Sequence, residues 1–192
     1  MWFRFLKFDQ ITAMRIEVNP HIHLETVEQK QAEQIFALVD ANRPYLRKWM
    51  PWVDYTHAVA DMVRFIEDSE LQFKENNGFN AAIYYGDVLC GVIGLHKVDW
   101  LNKATAIGYW LSEDRQGKGI MTDCCRAMIR YCFNELDLQK VQINCATANF
   151  KSQAIPKRLG FIQNGVLKAS ELLNGEFVDH IQFVLLRQQI SY

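Results

Sequence analysis

The first third of the chain changes from the hydrophobic period of a strand to that of a helix. Apolar and polar residues alternate over residues 22–27, which predicts a strand. Apolar residues then recur at helical spacing over residues 28–40, and a short helix restarts at Asn42-Arg43-Pro44 with proline in its first turn. A second amphipathic helix is predicted from about residue 57 to residue 74. Asn76-Asn77-Gly78 ends it, because Asn and Gly tolerate a left-handed cap.

Strand patterns dominate the rest of the chain. The apolar runs 81–85 and 88–95 flank Gly86-Asp87, and a two-residue connection of this kind predicts a hairpin. The later patterns predict strands at 105–111, 141–145, 161–171 and 176–186, a turn at Asn174-Gly175, and helices beginning after Gly119 and at Asn149. Together they indicate an α+β fold: a mixed, mostly antiparallel sheet with helices on both faces. We expect one domain over residues 1–192, with residues 1–12 as an N-terminal extension whose apolar start forms an added strand or an exposed tail.

Composition places the chain among ordinary globular proteins. Of its 192 residues, 49% are hydrophobic and 22% are charged, and the formal net charge is −1. This charge gives no general electrostatic attraction to nucleic acid or to an anionic membrane. No apolar run approaches membrane-spanning length, and the apolar start is interrupted by Arg4 and Lys7 with no small-residue cleavage site after it. We therefore expect a cytoplasmic protein with no nucleic-acid or membrane partner.

The cysteines and histidines indicate neither a disulfide framework nor a metal site. The cysteines are odd in number and have no Cys-x-x-Cys spacing, so they are typical of small core residues in a reducing compartment. Cys145 shares its strand parity with apolar neighbours and is expected to point into the core. His21 and His23 fall on one strand face, but no third ligand is suggested, so no metal is predicted. The cysteines are Cys90, Cys124, Cys125, Cys132 and Cys145.

A glycine-spaced loop, Gln116-Gly117-Lys118-Gly119-Ile120-Met121-Thr122, lies between an apolar strand pattern and an amphipathic helix. The helix start places free backbone N–H groups where a pyrophosphate would be held, and glycine lets the backbone approach an anion closely. A dinucleotide-binding fingerprint would need a third glycine where Thr122 stands, and no P-loop pattern exists. An ordinary glycine turn before a helix is the remaining alternative for the loop taken alone.

The loop and a downstream segment resemble the two cofactor motifs of the GNAT superfamily of N-acetyltransferases. Residues 116–121 resemble the pattern Gln/Arg-x-x-Gly-x-Gly/Ala, with Met121 departing at the last position. Asn149-x-x-Ser152-x-x-Ile155-x-x-x-x-Gly160-Phe161 resembles the second motif. The segments 49–53, 94–97, 107–111 and 152–161 are similar to the Rim-type branch, which acetylates protein N-termini, including those of ribosomal proteins. The resemblance covers roughly residues 20–188, with a cofactor core at about 104–161.

The resemblance implies an acetyl-CoA site where two central parallel strands splay apart. A strand N–H near Leu111 is then the candidate donor to the thioester oxygen. The implied cofactor-binding residues are Trp110, Leu111, Gln116, Gly117, Lys118, Gly119, Ile120, Met121, Thr122, Asn144, Asn149 and Ser152. Lys157 and Arg158 are further candidates for the CoA phosphates, against the alternative of a solvated helix face.

The resemblance also implies an acid and a base. Ser152 lies where the sulfur of CoA is expected, and its hydroxyl would donate to the leaving thiolate; the alternative is a helix-cap hydroxyl. Asn149 is a helix cap, a pantetheine contact, or both. Glu171 is our choice of base, against the alternative of an exposed glutamate at a strand end. The rival bases are Glu176, Asp179, His180 and, through a water beside Trp100, His96.

Three functions remain open on the sequence alone. The first is an acetyl-CoA-dependent N-acetyltransferase acting directly on a protein N-terminal amine, such as that of a ribosomal protein. The second has the same chemistry on a small amine, an antibiotic or aminoacyl nucleotide, for self-protection, and the third is a non-catalytic acyl-CoA sensor. The resemblance implies a substrate cleft ringed by Trp49, Trp52, Trp100 and Trp110, with Trp52 and His96 as substrate contacts. We expect a monomer or a homodimer.

Overall fold

A computed structural model describes residues 13–189, in which eight strands and five helices form an α+β fold. The expectation for residues 1–12 therefore lies outside the described residues. The strands are β1 Arg15–Asn19, β2 Ile22–Thr26, β3 Phe79–Tyr85, β4 Val88–Leu95, β5 Ala104–Leu111, β6 Lys140–Ala146, β7 Ile162–Leu173 and β8 Glu176–Leu186. The helices are α1 Ala32–Ala41, α2 Arg43–Leu46, α3 Val59–Lys74, α4 Ile120–Asn134 and α5 Phe150–Arg158, with short 3-10 turns at Gln29–Gln31, Pro51–Tyr55, Glu113–Arg115 and Arg187–Gln189.

The strands form one sheet in the order β1-β2-β3-β4-β5-β6-β8-β7, antiparallel at every junction except β5–β6. The parallel pairing of β5 and β6 covers only the first residues of each strand, from Ala104↔Lys140 to Ala106↔Gln142. Beyond that point β5 stays paired with β4 and β6 stays paired with β8. The two central strands therefore diverge over residues 107–111 and 143–146.

Helices cover the sheet on both faces, and each face has its own core. Alternate residues of one strand point to opposite faces, so Ile83 packs in the core with α4, whereas Ala82 packs in the core with α1 and α3. The apolar stripe of α4 is fully buried, as its helical spacing predicts. The predicted mixed, mostly antiparallel sheet with helices on both faces is confirmed.

One strand was missed by sequence reasoning. β1 has only two apolar residues, Ile16 and Val18, between polar neighbours, so its pattern is too short to predict a strand. Those two side chains pack against the core beside α4, and the pairing with β2 is irregular between Glu17 and Asn19. Tertiary contacts therefore determine this edge strand.

Candidate functional site

The divergence of β5 from β6 opens the sheet onto two cavities. The strand cavity, of about 620 Å³, lies against the diverging parts of both strands and the segment 49–56. The loop cavity, of about 850 Å³, is bounded by the glycine loop and the first turns of α4 and α5. The residues that line both cavities are Trp49, Met50, Tyr109, Trp110, Asn149 and Ser152. The two cavities therefore meet where the strands separate.

One side of the β5 backbone faces the space between the diverging strands β5 and β6. Ser112, just beyond the strand, donates its N–H to the carbonyl of Cys90 in the β4 strand at 2.8 Å. Backbone groups of successive strand residues point to opposite sides. Tyr109 and Leu111 therefore direct their N–H and C=O groups toward β6, from which the strand has separated. This orientation fits the expected backbone donor near Leu111.

The glycine loop leaves open space above the start of α4. Gly117 and Gly119 have φ angles of 72° and 79°, a region that L side chains rarely adopt, and a Cβ built on either meets no atom within 4 Å. Gly119 caps α4, and its carbonyl accepts from the N–H of Asp123 at 3.1 Å. This is the first hydrogen bond of the helix. The backbone N–H groups of residues 120–122 come before Asp123 in the chain and therefore have no helical carbonyl to donate to. The loop therefore suits an anion.

The loop cavity gathers most of the residues expected to bind a cofactor. Asn144 lines the strand cavity instead, and Lys118 is exposed beside the loop. The expected residues that line the loop cavity are Trp110, Leu111, Gln116, Gly117, Gly119, Ile120, Met121, Thr122, Asn149 and Ser152. Met121, which departs from the glycine-loop motif, is the second residue of α4, and its side chain is buried in the core.

The two basic candidates on α5 lie in different places. Arg158 lines the loop cavity, where its Nη1 donates to Thr122 Oγ1 at 2.6 Å. The Nζ of Lys157 lies 5.9 Å from the centre of a phenylalanine ring of β8 and not along the loop cavity. Lys151, which sequence reasoning passed over, lines the loop cavity and donates to Gln116 Oε1 at 3.2 Å.

Ser152 stands at the junction of the cavities and does not cap its helix. Asn149 is the cap, because its Oδ1 accepts from the Ser152 N–H at 3.1 Å. The Ser152 hydroxyl donates to the Tyr109 hydroxyl at 3.2 Å and lies 3.2 Å from Cys145 Sγ. The structure therefore places the Ser152 hydroxyl in a polar cluster between two strands, and the helix-cap alternative is wrong for this side chain.

Pro156 explains how Tyr109 is held in this cluster. A helical residue at this position would donate its N–H to the carbonyl four residues earlier, but proline has no N–H to give. That carbonyl belongs to Ser152, and it accepts from the Tyr109 hydroxyl at 3.1 Å. The proline inside α5 thus leaves a carbonyl available to position the tyrosine.

Burial keeps the cluster protonated. It raises the pKa of Tyr109 well above the ordinary value for tyrosine, and it raises the pKa of the Cys145 thiol. Cys145 is buried as expected, but it lies at the wall of the strand cavity and not only in the core. A neutral thiol is a poor nucleophile, which argues against an acetyl-cysteine intermediate.

Glu171 and His180 face each other across the β7–β8 hairpin and both line the strand cavity. Glu171 Oε2 lies 3.3 Å from His180 Nε2, with the side chains 32% and 14% exposed. This contact lacks the geometry of a hydrogen bond: within residues 13–189, His180 Nε2 is the buried side-chain nitrogen or oxygen that has no hydrogen-bond partner. A buried polar atom without a partner is costly, so this pair is suited to receive a hydrogen-bonding group from a ligand.

The rival bases differ in position. Asp179 accepts hydrogen bonds from Lys168 and from a backbone amide, and Glu176 is exposed at the start of β8; neither lines the strand cavity. His96 lines that cavity, and burial lowers its pKa, so its imidazole is neutral near pH 7 and able to accept a proton. The structure therefore brings Glu171, His180 and His96 to the cavity.

Aromatic side chains form one wall of the strand cavity. Trp52 and Trp110 have ring centres 6.1 Å apart, and Trp49 and Phe65 also line the cavity. Trp100 does not: its indole N–H donates to the carbonyl of residue 76, and its side chain is exposed outside the cavity. Including Trp100 in the cleft was wrong, because its indole is bonded to the turn that follows α3, outside the cavity.

In the described part of the chain, no group of three or more His, Cys, Asp or Glu side chains is arranged to hold a metal ion. His23 instead stacks on Tyr84, with ring centres 4.9 Å apart. No helix of residues 13–189 has the length and hydropathy to cross a membrane.

Comparison with known proteins identifies the family. The family model described as the acetyltransferase (GNAT) domain matches residues 21–162, which include both cavities' central strands and the glycine loop. The chain belongs to the GNAT acetyltransferase family. The fold of this acetyltransferase, and its similarity to the Rim-type branch, are therefore those that its motifs predicted.

Three relatives show which acetyltransferases this chain is similar to. YdaF of Bacillus subtilis (strain 168) is 37% identical over 175 residues, covering 90% of this chain and 95% of YdaF. The crystal structure of the microcin C7 self immunity acetyltransferase MccE, in complex with acetyl-CoA and AMP, is 32% identical with a TM-score of 0.85, covering 89% and 95% of the two chains. RimL, the ribosomal L7/L12 alpha-N-protein acetyltransferase in complex with coenzyme A, is 25% identical with a TM-score of 0.87, covering 90% and 98%.

Sequence reasoning missed two residues of the acetyltransferase's junction. Tyr109 was treated as part of a strand pattern and of the Rim-type resemblance, and Cys145 as a core residue; neither was given a role at the site. Their link to Ser152 depends on the divergence of β5 from β6, which no local pattern encodes. The available signal was Pro156, because a proline inside a predicted helix marks a carbonyl that needs another donor.

Proposed function

We propose that this acetyltransferase transfers an acetyl group from acetyl-CoA directly to the N-terminal amine of a protein, such as a ribosomal protein. The observation that carries the proposal is the meeting of two chemically different cavities at Ser152 and Tyr109. One cavity has a backbone suited to phosphates, and the other has a carboxylate and an imidazole suited to an amine. RimL supports the choice of a protein acceptor.

The loop cavity would hold the CoA part of acetyl-CoA. The loop amides and Arg158 would bind the phosphates, and the space left open over Gly117 and Gly119 would admit them. Asn149 and the backbone of Leu111, at the junction, would orient the acetyl group. The residues present therefore fit this co-substrate.

In the strand cavity, side chains of the protein would accept the proton of the amine and stabilise the negative charge that develops on the sulfur. Glu171 would accept the proton that the amine loses, with His180 beside it. The hydroxyl of Ser152, which donates to Tyr109 in the structure, would turn to donate its one hydrogen bond to the sulfur as the sulfur becomes a thiolate. The high pKa of Cys145 fits direct attack of the amine on the acetyl group, without an acetyl-enzyme.

We expect acetyl-CoA at about 100 times its dissociation constant to raise the free energy of unfolding by about 2.7 kcal/mol. Gly119→Val should lose most of this ligand-induced gain, because valine is strained at a φ of 79° and fills the open space beside the loop. Gly86→Val is the matched control: it has the same kind of strain, at a φ of 60°, but lies in the β3–β4 turn. Calorimetry with and without acetyl-CoA measures both gains. Absence of binding to the folded wild type would contradict the proposal.

The acceptor is tested with peptides that begin with ribosomal-protein N-terminal sequences. We expect acetylation of a peptide with a free α-amine, detected as the mass gain of one acetyl group. The same peptide with a blocked N-terminus and a free lysine should stay unmodified. Acetylation of the lysine instead, or of neither peptide, would contradict a protein N-terminal acceptor.

A small-amine acceptor is the second candidate, because the Trp52–Trp110 wall suits a planar base. MccE, crystallised with acetyl-CoA and AMP, supports this choice. A non-hydrolysable aminoacyl-adenylate analogue distinguishes the two candidates: its acetylation, with all peptides unmodified, would favour the small amine. Binding of acetyl-CoA without turnover of either acceptor class would instead favour an acyl-CoA sensor.

A further inference from the structure

The β7–β8 hairpin contains a bulge between the two residues of the carboxylate–imidazole pair. At the base of the hairpin Leu167 pairs with His180, and nearer the turn Glu171 pairs with Val178. The distance along β7 is 171 − 167 = 4 residues, whereas along β8 it is 180 − 178 = 2 residues. Two additional residues of β7 are therefore absorbed between the pairs, in the segment 168–170, which we call the bulge.

Both ends of the hairpin are fixed independently of the bulge. At the base, β8 pairs with β6 along its length, from Lys140↔Leu186 to Ala146↔His180. At the tip, Leu173 pairs with Glu176 across the turn at Asn174-Gly175, whose φ angles of 53° and 87° suit Asn and Gly. A bulge bends its strand and increases the local twist. The conformation of the bulge therefore sets how the tip, with Glu171, is aimed back at His180.

The side chain of Asp179 holds the bulge in one conformation. Its Oδ1 accepts from the Ala169 N–H at 2.9 Å, and its Oδ2 accepts from Lys168 Nζ at 2.8 Å. Ala169 has a φ of 46°, which is uncommon for a residue other than glycine and requires support from its surroundings. The Asp179 carbonyl also accepts from the Thr147 N–H at 2.9 Å, which joins β8, opposite the bulge, to the loop between β6 and α5.

Asp179 itself cannot meet a substrate in the strand cavity. It lies between Val178 and His180 on β8, so its side chain points to the opposite face of the hairpin. It lines neither cavity. An effect of the Asp179 side chain on the reaction is therefore indirect, and its two hydrogen bonds, to Ala169 and Lys168, point to the bulge as the route.

We propose that Asp179 is a positioning residue: by locking the bulge at 168–170, it aims Glu171 at His180 and at the amine in the strand cavity. This proposal rests on the proposed acetyl transfer with Glu171 as the base. Misplacement of a reacting group by about 1 Å can cost on the order of 100-fold in rate. The bulge thus has a role in the site, which is to orient Glu171, and is not merely an irregularity of an edge strand.

Three substitutions separate the contributions of Asp179. Asp179→Ala removes both hydrogen bonds, and we expect kcat to fall by roughly 10- to 100-fold with the affinity for acetyl-CoA unchanged. Asp179→Asn keeps an oxygen for the Ala169 N–H and should recover most of the rate. Lys168→Ala removes only an ion pair whose lysine side chain is 80% exposed, and should leave kcat within about twofold.

Deletion of residues 168–169 tests the bulge should Asp179→Ala fail to fold. The deletion leaves Glu171 opposite Val178 in a regular hairpin, so folding is expected while the bend is lost. We expect a fall in kcat as large as that of Asp179→Ala. Wild-type kcat in the deletion variant would overturn the proposal.

Two further measurements separate failure of the positioning role from failure of the base assignment. In a Glu171→Gln background, Asp179→Ala should lower kcat no further, and an equal fall in both backgrounds would overturn the proposal. The ring NMR signals of His180 should change in Asp179→Ala as they do in Glu171→Gln. Unchanged His180 signals in Asp179→Ala would overturn the positioning role, whatever the rate of Glu171→Gln. Full rate in Glu171→Gln would by itself refute only the assignment of Glu171 as the base.

Discussion

Replacement of Glu171 by glutamine is expected to lower kcat by about 10²- to 10⁴-fold, the usual contribution of a general base. Glutamine keeps the shape of the side chain beside His180 but cannot accept the proton that the amine loses. Steady-state kinetics with a saturating acceptor measures this fall.

Glu176→Gln is the matched control for that experiment. Glu176 is a glutamate of the same hairpin, but it is exposed at the start of β8 and lines neither cavity. It should retain wild-type kcat. Should Glu171→Gln behave like this control, Glu171 is structural, and His96 or His180 becomes the candidate base.

Replacement of Ser152 by alanine is expected to lower kcat by about 10²- to 10³-fold, as loss of one donor to a developing negative charge does in other enzymes. The affinity for acetyl-CoA should change little, because the bond to sulfur strengthens only as the thiolate forms. The folded protein should keep its stability, since Asn149 caps α5 through the Ser152 backbone N–H, which alanine retains. Kinetics and calorimetry on one preparation check the three expectations together.

Asn149→Ala provides the opposite pattern for comparison. Loss of this cap should cost about 1 kcal/mol of stability, whereas Ser152→Ala should not. A Ser152→Ala variant with normal kcat would show that another donor serves the leaving thiolate, and Tyr109 is the next group to test.

The parts of the site that depend on local backbone chemistry were predictable from the sequence. Glycine at 117 and 119, after a strand pattern and before a helix pattern, indicated a loop with free amides whose backbone can approach an anion, and the structure has that loop. The helices, and the strands from β2 onward, followed from hydrophobic spacing in the same way. Each of these inferences needs only neighbouring residues.

The parts that depend on distant pairings were not predictable. Tyr109 and Ser152 are 43 residues apart and meet because β5 and β6 pair for only three positions before diverging. The bulge held by Asp179 requires the register of two strands, which a single strand pattern does not contain. Trp100 shows the same limit, since its aromatic character suggested the cleft but the path of its loop decided otherwise.

Pro156 places stability and activity in opposition. A designer seeking a more heat-resistant protein would replace it first, because proline inside a helix costs roughly 3 kcal/mol relative to alanine. The new amide would then share the Ser152 carbonyl with the Tyr109 hydroxyl, which now donates to it alone. A regular helix at this point would weaken the hold on the tyrosine, so the proline that lowers the stability of α5 supports the order of the site.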